Sequence, residues 1–110
     1  MDLSIIIPVF NSEPILPSLV KEIDIAFKNK KLKKELIFIN DFSDDNSWKT
    51  IKHLTNSYSF IKGINLKENY GQHNAIAAGL NHANGEYIIM MDDDLQHDPK
   101  YLIEILYELK

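Results

Sequence analysis

The 110-residue sequence contains no cysteine, which excludes disulfide bonds and thiolate metal sites and leaves the redox compartment open. It has no apolar run close to the roughly 20 residues that a membrane-spanning helix needs. The N-terminal segment MDLSIIIPVF is acidic at its second residue and too short in its apolar stretch for a signal peptide. Positive charge is not in excess either: the formal net charge is -4, so no nucleic-acid partner is expected. These absences predict a soluble, cytoplasmic protein.

The remaining composition is typical of a soluble globular domain, with 45% hydrophobic and 25% charged residues. A chain of this length buries one hydrophobic core but not two. Residues 1–110 are therefore predicted to form a single domain, without internal linkers, low-complexity tracts or tandem repeats.

Short apolar segments alternate with helical patterns along the whole chain. The apolar segments predict four buried strands, at Leu3–Val9, Glu35–Ile39, Ile61–Leu66 and Tyr87–Met91. Apolar residues at helical spacing follow each strand and predict four helices. The segment Ser12–Pro14 predicts the start of the first helix, with Ser12 as its cap. Asn84–Gly85 predicts a left-handed end for the third helix, and Asp98–Pro99 predicts the start of the fourth.

The order βαβαβαβα predicts an α/β fold: a Rossmann-like, three-layer α/β/α arrangement with a mainly parallel sheet. In open sheets of this kind, ligands bind beyond the carboxyl ends of the strands. The polar segments PVFNSE, NDFSDD, LKENYGQH and DDDLQH each end or follow a predicted strand. We therefore expect these four segments to converge on one edge of the sheet and to form a binding site there.

Three consecutive aspartates follow the fourth strand, and alternation along an extended chain places Asp92 and Asp94 on one side and Asp93 on the other. Two carboxylates at this spacing can share a hard divalent cation, with Gln96 as a neutral oxygen ligand. Water or phosphate oxygens would complete the shell. The alternative is a solvated acidic turn. His97 beside the acids is expected to be solvated, with metal ligation as its alternative role.

The third polar segment contains a candidate anion site. His73 and the backbone amides of residues 69–71 could bind a phosphate, with Lys67 supplying positive charge. The alternative is an ordinary turn. The lysine-rich segment NKKLKK is assigned to a solvated helix end in preference to a membrane-binding surface. Trp48 is assigned to core packing in preference to stacking on a ligand ring.

Three long segments carry a resemblance to a known family: SIIIPVFNSE, ELIFINDFSDDNSWKTI and LKENYGQHNAIAAGLNHANGEYIIMMDDDLQHDP. In order and spacing they resemble the successive motifs of family-two glycosyltransferases with the GT-A fold. The last segment is most similar to that of the polyprenyl-phosphate sugar transferases, which act on dolichyl or undecaprenyl phosphate. The resemblance spans essentially the whole chain, so it is more specific than a single D-x-D motif.

The resemblance implies a metal-dependent, inverting transfer of a sugar from a UDP- or GDP-sugar donor to a lipid phosphate, with a saccharide as the alternative acceptor. It implies that the nucleotide sugar is bound by Pro8, Val9, Asn11, Glu13, Asp41, Lys67 and Asp93. It also implies that Asp92, Asp94 and Gln96 hold Mg²⁺ or Mn²⁺ against the diphosphate. A phosphate acceptor is already anionic and needs no protein base, so no catalytic residue is assigned.

The sequence departs from the family pattern at three positions. Asn40 stands where an aspartate is usual, Phe42 where glycine is common, and Asp93 where alanine or serine is frequent. Family members also continue beyond the metal motif with an acceptor-binding half. The chain is therefore expected to be the N-terminal part of a longer protein at the cytoplasmic face of a membrane. Alone, it is expected to bind the donor without turnover and to self-associate through exposed apolar surface.

Two other classes of protein fit part of the pattern. A non-catalytic nucleotide- or metal-binding module would share the same loops without transferring a sugar. A phospho-receiver domain also has aspartates at the ends of parallel strands, but it needs a lone aspartate after its third strand and a lysine after its fifth. Only four strands are predicted before this chain ends, so the receiver is the weaker alternative.

Overall fold

A computed structural model gives the structure of the chain and describes residues 1–28, 30–68 and 72–93. The elements are β1 (Leu3–Val9), α1 (Leu16–Phe27), β2 (Lys34–Asn40), α2 (Ser47–Ser57), β3 (Ile61–Asn65), α3 (Gln72–His82) and β4 (Tyr87–Met90). The four predicted strands are confirmed to within one residue at each end. The predicted fourth helix, which begins at Asp98–Pro99, lies outside the described residues. No helix in the part of the chain that is described is long and apolar enough to cross a membrane.

The four strands form one parallel sheet in the order β3-β2-β1-β4. Val9 pairs with Asn40 and Ile6 pairs with Met90, so β1 lies between β2 and β4. The prediction of a mainly parallel sheet is confirmed. The same order argues against a phospho-receiver domain, because in that topology the first strand lies between the second and the third.

Alternation along the strands divides the core into two layers. Ile5 and Ile7 of β1 lie in one buried cluster with the apolar faces of α1 and α2. Ile6 of β1 and Ile39 of β2 point to the opposite face, where they pack against Ala75 of α3. All five side chains have no exposed surface. The three-layer α/β/α arrangement is therefore confirmed, with helices on both faces of the sheet.

The strand order reverses beside β1. The chain crosses the sheet in one direction through α1 and α2, and α3 then returns across the opposite face to place β4 on the other side of β1. Because β-α-β crossovers are right-handed, connections that run in opposite directions lie on opposite faces. In α/β proteins the crevice that binds ligands lies at the carboxyl edge beside such a change of direction, which here falls between β1 and β4.

Helix α1 begins later than the sequence predicts. Its first residue is Leu16, its N-cap is Ile15, and no side chain caps it. The prediction that Ser12 caps this helix is wrong, because the Ser12 hydroxyl contacts the Phe10 carbonyl and the Asp93 carboxylate instead. The lysine-rich segment follows α1 and is not part of its last turn, which contains no basic residue.

The turn after α3 is held by side chains of the sheet. Neither Asn84 nor Gly85 adopts the predicted left-handed conformation. The Asn84 N–H donates to Glu35 Oε2 at 2.6 Å, and the Gly85 N–H donates to Ser4 Oγ at 2.8 Å. A Cβ atom at Gly85 would lie 2.4 Å from the Ser4 nitrogen. Glycine is therefore required here by a close backbone approach, and not by its φ angle.

A polar cluster around the buried Glu35 carboxylate joins this turn to β1, β2 and β3. We call it the Glu35 cluster; it consists of Ser4, Glu35, Lys62, Asn84 and Gly85. Glu35 is 1% exposed, and its carboxylate accepts hydrogen bonds from Ser4 Oγ at 2.5 Å and Lys62 Nζ at 2.6 Å. Burial raises the pKa of Glu35, but the hydrogen bonds from Lys62, Ser4 and Asn84 outweigh burial, so its pKa lies below the ordinary value. Sequence reasoning placed Glu35 only at the start of a strand.

Trp48 packs against the core beside β3, as predicted. Its ring lies over Gly63: a Cβ atom there would be 3.1 Å from Trp48 Cζ3 and 2.8 Å from Ile51 Cγ2. The glycine that weakens the strand pattern in the sequence therefore leaves room for the helix that covers the strand.

Candidate functional site

Loops that leave the carboxyl ends of the strands converge at one edge of the sheet. They are the β1 loop (residues 10–15), the β2 loop (residues 41–46), the β4 loop (residues 91–93) and residues 66–68 after β3. Acidic side chains outnumber Lys67, the basic residue in these loops; the acids are Glu13, Asp41, Asp44, Asp45, Glu68, Asp92 and Asp93. The edge is therefore strongly negative.

Reciprocal hydrogen bonds fasten the β1 loop to the β2 loop. The Asn11 N–H donates to Ser43 Oγ at 3.0 Å, and the Asp44 N–H donates back to Asn11 Oδ1 at 2.8 Å. A second contact of this kind involves Glu13, whose N–H donates to Asp45 Oδ2 at 3.2 Å. Glu13 Oε1 accepts the N–H of residue 46 at 3.0 Å. Asn11 and Glu13, both predicted to bind the nucleotide sugar, are thus held in fixed positions by the neighbouring loop.

Asp45 is ionised in this arrangement. Burial raises its pKa, but hydrogen bonds from Ser47 and from the Glu13 N–H outweigh burial, so the pKa of Asp45 lies below its ordinary value. Its Oδ1 accepts the Ser47 N–H at 2.9 Å, at the start of α2. Asp45 therefore organises the loops and is not predicted to be a proton donor or acceptor in catalysis.

Asn40 extends the network to the end of β3. Its Oδ1 accepts a hydrogen bond from Ser43 Oγ at 2.5 Å, and its Nδ2 donates to Asn65 Oδ1 at 2.9 Å. A side-chain amide accepts and donates at the same time, whereas an ionised aspartate could only accept. The asparagine that departs from the family pattern thus has a defined role in joining three strand ends.

The residues predicted to lie along the nucleoside differ in how much of their side chain is exposed. Asp41 is 5% exposed, and its N–H donates to the Val9 carbonyl at 2.9 Å. The Val9 side chain is fully buried in the core, so only its backbone belongs to the edge. Pro8 is half-buried on β1, and Lys67 is exposed after β3. Residues 69–71 and the side chain of His73 lie outside the described part of the chain.

Ser12 connects the β1 loop to both α2 and the β4 loop. It is 7% exposed, and its N–H donates to Oγ of the fully buried Ser47 at 3.0 Å. Its own hydroxyl lies 3.1 Å from the Phe10 carbonyl and donates to Oδ2 of Asp93. The crevice beside β1 is therefore bridged by direct contact between its two sides.

Asp92 is the described acid with the best position for a cation. Its side chain is exposed, and the preceding N–H of Met91 donates to the Ile6 carbonyl at 3.1 Å, which fixes the end of β4 against β1. A carboxylate is a hard oxygen ligand that suits Mg²⁺ or Mn²⁺. The other predicted ligands, Asp94 and Gln96, lie outside the described residues. Residues 1–28, 30–68 and 72–93 contain no group of three His, Cys, Asp or Glu side chains that could hold a metal by themselves.

Two residues at this edge have left-handed backbone conformations. Asn11 has φ 52° and Phe42 has φ 55°. Asparagine tolerates this conformation, whereas a bulky side chain there is strained. The Phe42 side chain is 53% exposed, so limited packing offsets the strain.

We therefore expect Phe42→Gly to raise the free energy of unfolding by about 0.5–1 kcal/mol, because glycine adopts this φ without a Cβ clash. Urea denaturation followed by circular dichroism measures the change. Asn11→Gly is the matched control at the same φ, and it should lower stability because Asn11 Oδ1 accepts the Asp44 N–H. A loss of stability in Phe42→Gly would mean that the ring packs more strongly than its exposure indicates.

Sequence reasoning missed the residues that bring the loops together. Ser43 and Asp45 are predicted only as members of the polar segment NDFSDD, Ser47 has no predicted role, and Ser12 is predicted to be a helix cap. Ser12 and Asp93 are 81 positions apart, so no local pattern indicates that they meet. The sequence does show that each polar segment follows a strand, and this placement predicts that the loops meet at one edge.

Comparison with known proteins agrees with this geometry. The family model described as Glycosyl transferase family 2 matches residues 4–110. The chain is 41% identical over 98 residues to the undecaprenyl-phosphate 4-deoxy-4-formamido-L-arabinose transferase of Proteus mirabilis. That match covers 88% of this chain and 30% of the Proteus protein. The chain thus spans about three-tenths of the length of this curated relative.

Solved structures show the same fold. S. aureus TarS 1-349 in complex with UDP-GlcNAc matches with a TM-score of 0.79 and 24% identity, over 97% of this chain and 30% of that one. The mannosyltransferase PcManGT from Pyrobaculum calidifontis, in complex with GDP-Man and Mn²⁺, matches with a TM-score of 0.75 and 20% identity, over 84% of this chain and 27% of that one. These neighbours have the GT-A fold. The chain belongs to glycosyl transferase family 2.

Proposed function

We propose that this protein transfers a sugar, with inversion, from a nucleoside diphosphate donor to a polyprenyl phosphate, and that the transfer depends on a divalent metal. The observation that carries the proposal is the contact between the β1 loop and the acidic β4 loop where the strand order reverses. The names of its relatives support the acceptor class, since they specify undecaprenyl phosphate. The ligands of its structural neighbours support the donor class, since they are nucleotide sugars.

The nucleoside would lie along the β1 and β2 loops. Asp41 is suited to the base, because uracil and guanine both present N–H donors that a carboxylate can accept. Asn11 and Glu13 are already fixed by the β2 loop, so they can bind a ligand with little further loss of side-chain freedom. The backbone of Pro8 and Val9 would form the inner wall of this part of the site.

The diphosphate would lie between the β1 loop and the β4 loop. A diphosphate placed among so many carboxylates is repelled unless a cation lies between them. Asp92, with Asp94 and Gln96, would hold Mg²⁺ or Mn²⁺ at this point, and Lys67 would add positive charge from the β3 side. A cation held there would supply positive charge to offset the charge that develops on the departing nucleoside diphosphate.

The acceptor chemistry requires no base from the described residues. A polyprenyl phosphate oxygen is anionic near neutral pH and can attack the anomeric carbon directly, with the nucleoside diphosphate leaving from the opposite side. The part played by this chain is then to bind and orient the donor. Asp93, which accepts a hydrogen bond from Ser12, is not assigned as a base.

Sugar transfer is tested with radiolabelled UDP- and GDP-sugars, vesicles that contain undecaprenyl phosphate, and either Mg²⁺, Mn²⁺ or EDTA. The proposal predicts labelled lipid with one nucleotide class in the presence of metal and none with EDTA. A soluble saccharide acceptor is the second arm of the assay. The assay uses the whole protein, because the 110-residue chain alone is expected to bind the nucleotide without transfer. In the whole protein, nucleotide binding without transfer to either acceptor would contradict the proposal and favour a non-catalytic binding module.

A further inference from the structure

We propose that Ser12 and Asp93 form a latch between the β1 loop and the β4 loop, and that Asp93 is a positioning residue for the neighbouring Asp92. The latch is a contact within the protein and can be tested without any ligand. Its effect on donor binding rests on the proposed function.

The Ser12 side of the latch is rigid. Ser12 is 7% exposed, and its N–H donates to Ser47 Oγ at 3.0 Å. Ser47 is fully buried as the first residue of α2. Because a buried helix terminus holds its backbone, the Ser12 hydroxyl is presented to the β4 loop from a fixed position.

The hydroxyl has one proton and two acceptors within reach, the Asp93 carboxylate and the Phe10 carbonyl at 3.1 Å. A carboxylate is the stronger acceptor, since hydrogen bonds to charged groups are stronger than those to neutral ones. If Asp93 moves away, the proton can turn to the Phe10 carbonyl. Opening the latch therefore leaves no unsatisfied hydroxyl, and the contact can break and form again at modest cost.

The Asp93 side of the latch orients its neighbour. Asp92 and Asp93 are adjacent in the chain just after β4, but their side chains lie in different surroundings. Asp93 is half-buried against the β1 loop, whereas Asp92 is exposed. Holding Asp93 thus holds the direction of the Asp92 carboxylate. A base or a metal ligand would need the negative charge of Asp93, whereas a positioning residue needs only an oxygen that accepts the Ser12 proton.

Asparagine at position 93 separates these two roles. Asp93→Asn keeps an oxygen acceptor but removes the charge, and Asp93→Ala removes both. Both substitutions remove the negative charge of Asp93 and so relieve the same repulsion from neighbouring acids. This effect therefore cancels when Asp93→Asn is compared with Asp93→Ala. Asp44→Ala, an exposed acid in the β2 loop whose backbone alone is used in the network, is the control for loss of one negative charge at this edge.

The first measurement is thermal unfolding without metal or nucleotide. Asp93→Ala should melt about 4 °C below Asp93→Asn, the shift expected for one lost hydrogen bond in a domain of this size. Ser12→Ala should lower the melting temperature in the wild type and in the D93N background. It should lower it by less in the D93A background, where only the bond from Ser12 to the Phe10 carbonyl remains to be lost. Additive shifts in the D93A background would overturn the latch.

The second measurement is calorimetric titration with UDP and with GDP, each in the presence of Mn²⁺ or EDTA. Ser12→Ala and Asp93→Ala should weaken Mn²⁺-dependent binding about tenfold, and Asp93→Asn should stay within about twofold of the wild type. If Asp93→Asn binds as weakly as Asp93→Ala, the charge itself is required and the positioning role is wrong. If the wild type binds neither nucleotide, the proposed function fails, while the unfolding data still decide whether the latch exists.

Discussion

Asp92→Asn is expected to weaken Mn²⁺-dependent binding of UDP or GDP by roughly 100-fold or more, because an amide oxygen replaces a charged ligand of the cation. The substitution preserves size and leaves the backbone contact from Met91 to Ile6 intact. The effect should therefore appear in ligand binding and not in stability. Calorimetry with each nucleotide, in Mn²⁺ and in EDTA, measures it.

Asp44→Asn is the matched control for this prediction, because Asp44 is an exposed acid at the same edge whose side chain is not assigned to the site. It should change affinity no more than about twofold, the effect of one distant surface charge under salt screening. Equal losses in Asp92→Asn and Asp44→Asn would mean that general negative charge, and not a specific ligand, governs binding. Unchanged binding in Asp92→Asn would contradict the metal assignment.

Glu35→Ala is expected to lower the free energy of unfolding by about 3 kcal/mol and the melting temperature by more than about 10 °C. The substitution leaves the fully buried Ser4 hydroxyl and the part-buried Asn84 N–H without their acceptor. Lys62 is half-exposed and regains water, so it adds little to the loss. Thermal unfolding measures the change, and an unchanged melting temperature would contradict this prediction.

The Glu35 cluster also predicts how stability depends on pH. The pKa of Glu35 is lowered in the folded state from its ordinary value of 4.5. Below that value the unfolded chain binds more protons than the folded one, so stability falls as the pH falls through the folded-state pKa. Above it the contribution is fully present.

Urea denaturation between neutral and acidic pH tests this dependence. The difference in stability between the wild type and Glu35→Gln should be constant near neutral pH and should shrink as the pH falls below 4.5. Asp45, whose pKa is also lowered, contributes equally to both proteins and cancels in the difference. A difference that does not change with pH would mean that Glu35 is not charged in the folded state.

The strands and the layers could be predicted from the sequence because the relevant pattern is local. A parallel strand covered on both faces reads as a continuous apolar run, and Leu3–Val9 is such a run, with the predicted bounds. The position of the site followed from the same pattern, since polar segments after parallel strands must meet at one edge.

The hydrogen bonds between the loops at this edge could not be predicted, because they join residues that are far apart in the sequence. Asn11 and Asp44 are 33 positions apart, and Ser12 and Asp93 are 81 apart. Local sequence rules gave wrong assignments at two residues that make tertiary contacts. Ser12 donates a hydrogen bond to Asp93 and does not cap a helix. Gly85 lies against the Ser4 backbone and does not adopt a left-handed conformation. Phe42 itself gives no sign of its left-handed φ, because the usual signal is a glycine; that signal is present only in the family pattern, where glycine is common at this position.

The central claim is that a nucleoside diphosphate binds in the crevice between the β1 loop and the β4 loop together with a divalent cation. Backbone amide chemical shifts, followed by NMR while UDP or GDP is added with Mg²⁺, test this claim most directly. We expect shifts to change in the β1, β2 and β4 loops, amides of the Glu35 cluster at the opposite edge to stay unchanged, and EDTA to reverse most of the effect. Shift changes centred on the Glu35 cluster, or changes in the loops that EDTA leaves intact, would contradict it.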